Sequence, residues 1–351
     1  MPKNLLIITQ RVDDGDDLLG FFVDWIKEFS KHFDTVNVIT LAMGHYDLPP
    51  NVSIHSLGKE RHSSKIMRAI RFYKYLFQLV PGSSGIFAHM SPIFVVASWP
   101  VAFIHRKKII LWYLHRSVTL RLKIAEKLCY KIVTAARESL GVAGDKIVEL
   151  GHGISVNKFR HRRMWEGKCN FKIVSVGRIS LIKNFETIIN AVALLRDKGH
   201  NFEVDIIGKP IMSKDFNYFE SLKSLVSKLK LADAVKFIGF VPHGEIDRYY
   251  KNADIFVGPL PTGGLDKAVL EAMATGCISL TSNTAFNKYL GPYSEKLIFK
   301  YCDSVDLASK LENILNMSSD DRSDISGYLT DMVDEYHNVD SLIIKLSNLY
   351  E

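Results

Sequence analysis

The sequence predicts an α/β protein of two domains, each a parallel sheet wound by helices on both faces. The chain of 351 residues is long enough for two domains of ordinary size. Short apolar runs alternate with amphipathic segments of helix length, as in parallel strands joined by crossover helices. A basic stretch, Lys158 to Lys168, interrupts this alternation, which then restarts. We therefore predict domains at 1–163 and 164–335, and a helix at 336–351 that packs back on the first domain.

The first half alternates in this way from its start. Strands are predicted at Leu5–Thr9, Val36–Thr40, Ile109–Tyr113 and Lys146–Leu150, and helices at Leu18–Phe33, Lys65–Val80 and Leu120–Tyr130. In the second of these helices, Ile66, Ile70, Tyr73 and Phe77 recur at helical spacing among basic residues. That helix is predicted to be both basic and rich in aromatic side chains.

One apolar segment, from Gly85 to Ile104, has the length of a membrane span, and His89 is its only ionisable residue. Pro92 and Pro100 interrupt it. We therefore favour a buried strand followed by a helix over a span.

The second half repeats the alternation of strands and helices. Strands are predicted at Phe171–Val176, Phe202–Ile207, Val235–Ile238, Asp254–Val257, Ile278–Thr281 and Leu297–Phe299, with helices between them and a mostly helical tail from Asp306 to Tyr350. In doubly wound sheets, ligands bind beyond the carboxyl ends of the strands. Candidate site residues are therefore expected in the loops that follow strands.

Charge is distributed unevenly over the two halves. Residues 1–163 carry 24 Lys and Arg against 13 Asp and Glu, whereas residues 164–351 carry 21 against 25. The segment 59–137 holds 15 basic and two acidic residues, which suits an anionic partner or simply a solvated surface. No recognition motif supports nucleic-acid binding. The four cysteines form no C-x-x-C pattern, so we expect a reducing, cytoplasmic compartment and neither a zinc site nor disulfides.

The loop after the strand 171–176 reads Gly-Arg-Ile-Ser-Leu-Ile-Lys-Asn and provides the first candidates. Arg178 and Lys183 stand five residues apart where the loop enters a helix. An arginine fork and a lysine point charge at that place suit a diphosphate. Gly208, in Ile-Ile-Gly-Lys-Pro, allows a ligand to approach the backbone closely, and it precedes Lys209. A third loop, Phe-Ile-Gly-Phe-Val-Pro, contains Val241.

The stretch from Gly258 to Gly276 combines a glycine-containing loop with the start of a helix. Amides of the loop and the positive end of the helix suit a phosphate. Glu271 lies about one turn into that helix, where a carboxylate is placed to accept hydrogen bonds from a ribose diol.

In this order, the motifs G-R-x-x-x-x-K-N, I-I-G, F-x-G-x-V-P, A-D-I-F-V-x-P and L-E-A-M-A-x-G resemble those of GT-B glycosyltransferases of the family 4 type. The resemblance is strongest from Val174 to Ser282. It implies two Rossmann-like domains facing across a cleft, and a nucleotide-sugar donor. By resemblance, the donor contacts are Arg178 and Lys183 with the diphosphate, Glu271 with the ribose, Gly208, Lys209 and Val241 with the base, and His115 with the sugar near the reaction centre.

The chain departs from the family in the donor loop. The family usually has a glutamate eight residues before the ribose Glu, and here that position is Gly263. We expect Asp266 to replace it as a catalytic residue near the sugar. The remaining loop residues assigned to the diphosphate are Gly263, Gly264, Leu265 and Lys267.

An acidic loop, Asp13-Asp14-Gly15-Asp16-Asp17, follows the first strand. It contains a D-x-D pattern, which elsewhere binds a divalent metal. We favour an acceptor-side role for Gly15, Asp16 and Asp17: positioning a hydroxyl, acting in catalysis, or capping the next helix.

The resemblance implies a retaining transfer in which cationic side chains stabilise the leaving diphosphate, so no metal or cofactor is expected. The predicted partners are a nucleotide-sugar, a glycan or lipid-linked glycan acceptor and an anionic membrane surface, which would place the protein at the cytoplasmic face of a membrane. Two other functions remain open: a nucleotide-sugar epimerase and a non-catalytic nucleotide-sugar-binding protein.

Overall fold

The apolar runs form strands in two separate parallel sheets. A computed structural model describes residues 3–161, 163–166 and 170–351; residue 162 and residues 167–169, in the predicted basic linker, lie outside the described residues. The strands of the first sheet are β1 (Asn4–Val12), β2 (Thr35–Met43), β3 (Val52–Ser56), β4 (Gly85–His89), β5 (Lys108–Trp112), β6 (Lys131–Thr134) and β7 (Ile147–Glu149). Those of the second are β8 (Phe171–Val176), β9 (Phe202–Ile207), β10 (Val235–Gly239), β11 (Ile255–Gly258) and β12 (Ile278–Thr281).

Helices connect the strands in both units. In the first half they are α1 (Phe22–His32), α2 (Lys65–Leu79), α3 (Pro92–Ile104), α4 (Leu120–Leu128) and α5 (Val156–Phe159). In the second half they are α6 (Phe185–Asp197), α7 (Ser213–Lys228), α8 (Asp247–Asn252), α9 (Lys267–Ala274), α10 (Asn287–Leu290), α11 (Ser294–Leu297), α12 (Ser304–Asn316), α13 (Ser319–His337) and α14 (Val339–Asn348).

Strand order identifies both sheets as doubly wound. Over the described ranges the first sheet runs β3-β2-β1-β4-β5-β6-β7 and the second β10-β9-β8-β11-β12, with parallel pairing throughout. In each, the chain starts in the middle, moves to one edge, returns and continues to the other edge. The strand order therefore reverses beside β1 in one sheet and beside β8 in the other, which is where such sheets bind ligands.

Two compact units contain these sheets. Unit 1 is Met1–Ser155 with Pro242–Gly244 and His337–Glu351, and unit 2 is Val156–Val241 with Glu245–Tyr336. The first segment of unit 1 thus ends eight residues before the domain boundary at 163 that the sequence suggested.

The core of unit 1 lies on both faces of its sheet because side chains alternate along each strand. Leu6 and Ile8 of β1 face a cluster built with α2, α3 and α4, whereas Leu5 and Ile7 face a cluster built with α1 and α14. Helix α14 joins the second cluster through an apolar stripe, Val339, Leu342, Ile343 and Leu346. The C-terminal helix is therefore part of the first unit's core.

The apolar segment 85–104 forms strand β4 and helix α3, as favoured from the sequence. Pro100 does not break α3 but lies inside it. Among the described residues, every helix is too short or too polar to cross a bilayer.

One predicted strand is absent from the described part of the chain, and two observed strands were not predicted. Residues 297–299 are not a strand, because Leu297 ends α11 and Ile298 makes only a single bridge to Thr281. Strands β3 and β6 were missed. β3 is a short edge strand with mostly half-exposed side chains, and β6 has only four residues, so neither leaves a long apolar run in the sequence.

Candidate functional site

Three loops of unit 2 meet at the carboxyl edge of its sheet. The backbone amide of Gly177, after β8, donates to the carbonyl of Ile207 at 2.9 Å, and that of Ile179 donates to the carbonyl of Lys209 at 3.1 Å. A Cβ atom on Gly208 would lie 1.9 Å from the carbonyl oxygen of Gly177, and Gly208 has a φ of +144°. Only glycine fits there, so the motif glycine holds the first two loops together.

The side chain of Lys183 lies over the backbone of Gly177. A Cβ atom on Gly177 would lie 2.6 Å from Cε and 2.8 Å from Nζ of Lys183. Lys183 ends a short 3-10 turn, Leu181–Lys183, and Asn184 after it takes the left-handed conformation (φ 45°) before α6 begins. This turn directs the lysine back toward the strand end.

Lys183 forms an ion pair with Asp266, the residue that the sequence suggested as a substitute for the family glutamate. Nζ lies 2.6 Å from Oδ2, and the side chains are 19% and 16% exposed. Asp266 is also the N-cap of α9, since its Oδ1 accepts a hydrogen bond from the amide of Ala268 at 3.1 Å. One carboxylate therefore connects the loop after β8 to the start of α9.

Glu271 is buried in the second turn of α9, with 5% of its surface exposed. The hydroxyl of Tyr250 donates to its Oε2 atom at 3.2 Å, and Tyr250 is fully buried. Burial, and then the negative charge of Glu271, raises the pKa of Tyr250 well above its ordinary value. The tyrosine thus stays protonated and fixes the orientation of the carboxylate.

The donor loop between β11 and α9 is fastened by residues that the sequence reading missed. Asn283, which is 1% exposed, accepts from the amide of Gly263 at 3.2 Å and donates to the carbonyl of Gly264 at 2.8 Å. Thr284 contacts Thr262 through their hydroxyls at 2.8 Å. A signal for these residues existed, because the run Ser-Asn-Thr directly follows β12 at the same sheet edge.

The hydrogen bond between Gly263 and Asn283 affects one of the amides that were predicted to bind phosphate. In the structure the amide of Gly263 points to Asn283 Oδ1, so a phosphate contact through Gly263 requires that bond to open. Leu265 is buried, and Gly264 and Lys267 are half-buried beside it.

The other predicted donor residues lie along the same edge. Arg178 approaches Asp215 with 4.0 Å between Nε and Oδ2, which is a loose ion pair. Lys209 lies over the ring of Phe240 at 4.4 Å, next to the half-buried Val241. The structure thus gathers the candidates of the second half, from Arg178 to Glu271, on one edge of one sheet.

In unit 1, His115 follows the carboxyl end of β5 and is exposed. Its ring packs edge-on against Tyr113 with centroids 5.4 Å apart. The acidic loop follows β1, at the same edge of the first sheet.

The acidic loop is held by contacts within unit 1. Asp16 accepts hydrogen bonds from the amides of Leu18 and Leu19 at 3.0 and 2.9 Å, and it pairs with Arg11 at 3.2 Å. Gly15 and Asp17 are exposed. Asp16 therefore caps a turn, and that turn precedes α1, which begins at Phe22 rather than near Leu18 as expected.

Comparison with protein families supports the reading of the second half. Residues 161–330 match the family described as glycosyl transferases group 1. This segment is a little under half of the chain, and it contains Arg178, Lys183, Asp266 and Glu271.

Curated relatives are similar over a shorter range. The amylovoran biosynthesis glycosyltransferase AmsK of Erwinia amylovora is 33% identical over 144 residues, which cover 39% of this chain and 34% of that protein. The putative colanic acid biosynthesis glycosyltransferase WcaL of Salmonella typhimurium is 28% identical over 145 residues, covering 40% and 34%. The match thus spans about a third of the length of each relative.

Solved structures are similar over nearly the whole chain. HepE of Anabaena, in complex with UDP and glucose, has a TM-score of 0.76 at 14% identity and 99% coverage of both chains. S. aureus TarM, in complex with UDP and other ligands, has a TM-score of 0.76 at 9% identity, covering 99% of this chain and all of that one. At such identities the similarity shows the fold. The predicted class, two parallel-sheet α/β domains of the GT-B type, is confirmed.

Proposed function

We propose that this protein is a retaining glycosyltransferase of the family 4 type, which moves a sugar from a nucleotide-sugar to a glycan or lipid-linked glycan acceptor in cell-surface polysaccharide or glycolipid assembly. One observation carries the proposal: Lys183, Gly208 and the start of α9 meet at one sheet edge, within the segment that matches the glycosyltransferase family. The names of the relatives AmsK and WcaL support the polysaccharide context.

Each part of the donor has a matching charged or hydrogen-bonding residue at this edge of the sheet. Lys183 and Arg178 provide positive charge for the diphosphate, and the positive end of α9 adds to it. Glu271, held by Tyr250, accepts from the ribose diol. Lys209 and Val241 flank the base. As the bond to the anomeric carbon breaks, these cations stabilise the leaving diphosphate, and the proposed reaction needs no metal.

Asp266 has a two-state role in this proposal. Without donor it pairs with Lys183. A bound diphosphate competes for the same lysine, which frees one oxygen of Asp266 for a hydroxyl of the donor sugar. Asp266 thereby takes over the contact that the family makes from position 263, where this chain has glycine.

Unit 1 supplies the remaining candidates, one for the donor sugar and a loop for the acceptor. His115, Gly15 and Asp17 are exposed beyond the carboxyl ends of β5 and β1, where open α/β sheets bind ligands. We place His115 at the donor sugar and the 15–17 loop at the acceptor. The basic segment 59–137 suits an acceptor that carries phosphate or lies at an anionic membrane.

The test is a panel of UDP-, GDP- and other nucleotide-sugars, first by thermal shift and then by release of nucleoside diphosphate. A ligand that binds the folded protein raises its melting temperature. We expect stabilisation by one nucleotide-sugar, nucleotide release only when an acceptor glycan is present, the same turnover in EDTA, and a product with the anomeric configuration of the donor.

The alternatives give different outcomes. An epimerase would convert the donor to an isomeric nucleotide-sugar, or release nucleotide, without acceptor. A binding protein would be stabilised but would turn nothing over with any acceptor. Either result would replace the proposed function.

A further inference from the structure

Helix α2 of unit 1 carries an apolar stripe on its outer face. Ile66, Ile70, Tyr73 and Phe77 are 75%, 58%, 39% and 57% exposed, whereas only Phe72 and Leu76 of this helix are buried. Spacings of four, three and four residues place the exposed four on one side of the helix. The stripe is therefore not part of the core, although its periodicity looks like that of a core face.

A small apolar pocket lies beside this stripe. It has a volume of about 280 Å³ and is lined by residues of α2 and α3 and of the strand ends at Leu41 and Leu57. The lining from the two helices includes Ala69, Phe72, Tyr73, Ile93 and Ala97. This volume lies just below the usual range of small-molecule sites, and the walls are almost wholly apolar, so the pocket suits a piece of an alkyl chain and not a nucleotide or a sugar.

The charges at the pocket are all positive. Lys65 and Arg68 are the charged residues that line it. Within the part of the chain that the structure describes, Nε of Arg68 is buried and has no hydrogen-bond partner. By contrast, Arg71 on the same helix donates to the carbonyl of Leu57 and to Ser63, both at 3.0 Å. Arg71 thus serves the fold, whereas Arg68 lacks an acceptor that an anion would supply.

The helix as a whole is basic as well as apolar. Residues 65–79 contain four Lys and Arg and no Asp or Glu, and Lys65 and Lys74 are exposed. An exposed apolar face with positive charges beside it is the arrangement by which interfacial helices bind anionic membranes, where methylene burial and attraction to lipid phosphates add.

We propose that the outer face of α2 is a docking surface for an anionic phospholipid bilayer, with one lipid acyl chain in the pocket between α2 and α3 and its phosphate on Arg68 and Lys65. The role of this surface rests on the proposed function: it would hold the enzyme at the membrane where a lipid-linked acceptor lies. Its chemistry is independent of the donor loops, which lie in the other unit.

The experiment is co-sedimentation of the full chain with phosphatidylcholine vesicles, with and without phosphatidylglycerol, at low and physiological salt. We expect binding to the mixed vesicles and weak binding to phosphatidylcholine alone. The double variant Ile66→Ser/Ile70→Ser should bind mixed vesicles at least about tenfold more weakly, since it removes two large apolar side chains from the contact. Arg68→Gln should lose most of the preference for phosphatidylglycerol.

The controls isolate the acyl-chain site. Val305→Ser removes an apolar side chain of similar exposure (68%) from α12 in unit 2 and should bind vesicles like the unchanged protein. Ala69→Trp fills the pocket and should weaken binding while leaving the charges intact. Phe77→Ser provides an independent test of the stripe. Because Ile66, Ile70 and Phe77 are exposed, their substitution by serine should leave the fold intact.

Two results would overturn the proposal. One is unchanged vesicle affinity in the Ile66→Ser/Ile70→Ser and Phe77→Ser variants. That result would mean that the protein binds anionic vesicles through its positive charges alone and not through the apolar stripe. The other is a dimer in sedimentation velocity that these substitutions dissociate, which would assign the stripe to a second copy. Donor binding by thermal shift is measured on every variant. In the unchanged protein, donor binding without vesicle binding would mean that this site fails and the proposed function stands, whereas vesicle binding without donor binding would mean that the proposed function fails and this site stands.

Discussion

Lys183 and Asp266, 83 residues apart in the chain, form an ion pair of 2.6 Å that is more than four-fifths buried on both sides. Each partner belongs to a different loop at the carboxyl edge of the second sheet. Under the proposed function, the pair places a cation and an anion where the leaving diphosphate of the donor binds. If the proposal is right, a bound donor must break this pair before either charge can act on it.

Lys183→Met should weaken donor binding strongly. A hydrogen bond to a charged group contributes about 1.5–3 kcal/mol, so we expect a loss of about ten- to a hundredfold in affinity for the nucleotide-sugar and for free nucleoside diphosphate. Titration calorimetry with both ligands measures this change. Lys223→Met, at an exposed lysine of α7, is the matched control and should bind like the unchanged protein. Equal affinities in the two variants would remove Lys183 from the site.

Asp266 caps a helix and also carries the predicted carboxylate function, and two substitutions separate these roles. Both substitutions remove the charge that pairs with Lys183, but Asn keeps the oxygen that accepts from Ala268, so Asp266→Ala should be less stable than Asp266→Asn by about 1 kcal/mol of unfolding free energy. Both should lower turnover with the true donor if the carboxylate contacts the sugar. Full turnover in the Asn variant would reduce Asp266 to a cap.

Asn283 should matter for donor binding although it is not predicted to touch the donor. Asn283→Asp keeps the oxygen that accepts from Gly263 but loses the donor to the carbonyl of Gly264. The half-buried carbonyl of Gly264 then loses its partner and faces a carboxylate oxygen, so the loop loosens. We expect a raised KM for the donor with kcat changed less. A matched variant is Thr284→Val, on the exposed side of the same loop contact, which should have a smaller effect.

Much of the fold was readable from the sequence because strands buried on both faces are nearly continuous apolar runs. β8, β9 and β12 have the predicted bounds for this reason. Strand β3 was not readable, since an edge strand with half-exposed side chains carries no such run. The stripe on α2 shows a second limit of prediction from sequence. Helical periodicity identifies an apolar face, but it does not show whether that face packs against the core or is exposed to solvent.

For a similar reason, the sequence could predict that the candidate donor residues lie together at one edge of the second sheet. Glycines, lysines and carboxylates after strands indicate ligands, and parallel strands bring their carboxyl ends together. Pairing between these residues is a tertiary property. No pattern in the sequence indicates that Asp266 meets Lys183, or that Tyr250 meets Glu271. The first contact depends on how two separate loops pack, and the second on how helices α8 and α9 pack.

His115 should affect turnover and not stability. Its side chain is exposed and packs only edge-on against Tyr113, so His115→Ala should leave the melting temperature nearly unchanged. If it contacts the donor sugar, loss of a transition-state hydrogen bond lowers kcat about a hundredfold or more. His62→Ala, at another exposed histidine of unit 1, is the control. Equal kcat values in the two variants would contradict the assignment.

Alkaline pH should destabilise unit 1 through a buried thiol. Burial raises the pKa of Cys129 from 9.0 to about 11. Because the thiol ionises more readily in the unfolded chain, its contribution is fully present below pH 9 and is lost as pH rises toward 11, a loss of about 3 kcal/mol at most. Tyr350, whose pKa burial also raises, adds a further loss above pH 10.

Cys129→Ala tests this linkage. The variant is less stable at pH 8 because it removes packed volume, but its unfolding free energy should fall less between pH 8 and pH 10 than that of the unchanged protein. Urea unfolding followed by the fluorescence of Trp25 and Trp112, both buried in unit 1, reports on the relevant unit. Cys302→Ala, at an exposed cysteine, should follow the unchanged protein. Parallel curves for all three proteins would show that Cys129 does not bind its proton more tightly in the folded state.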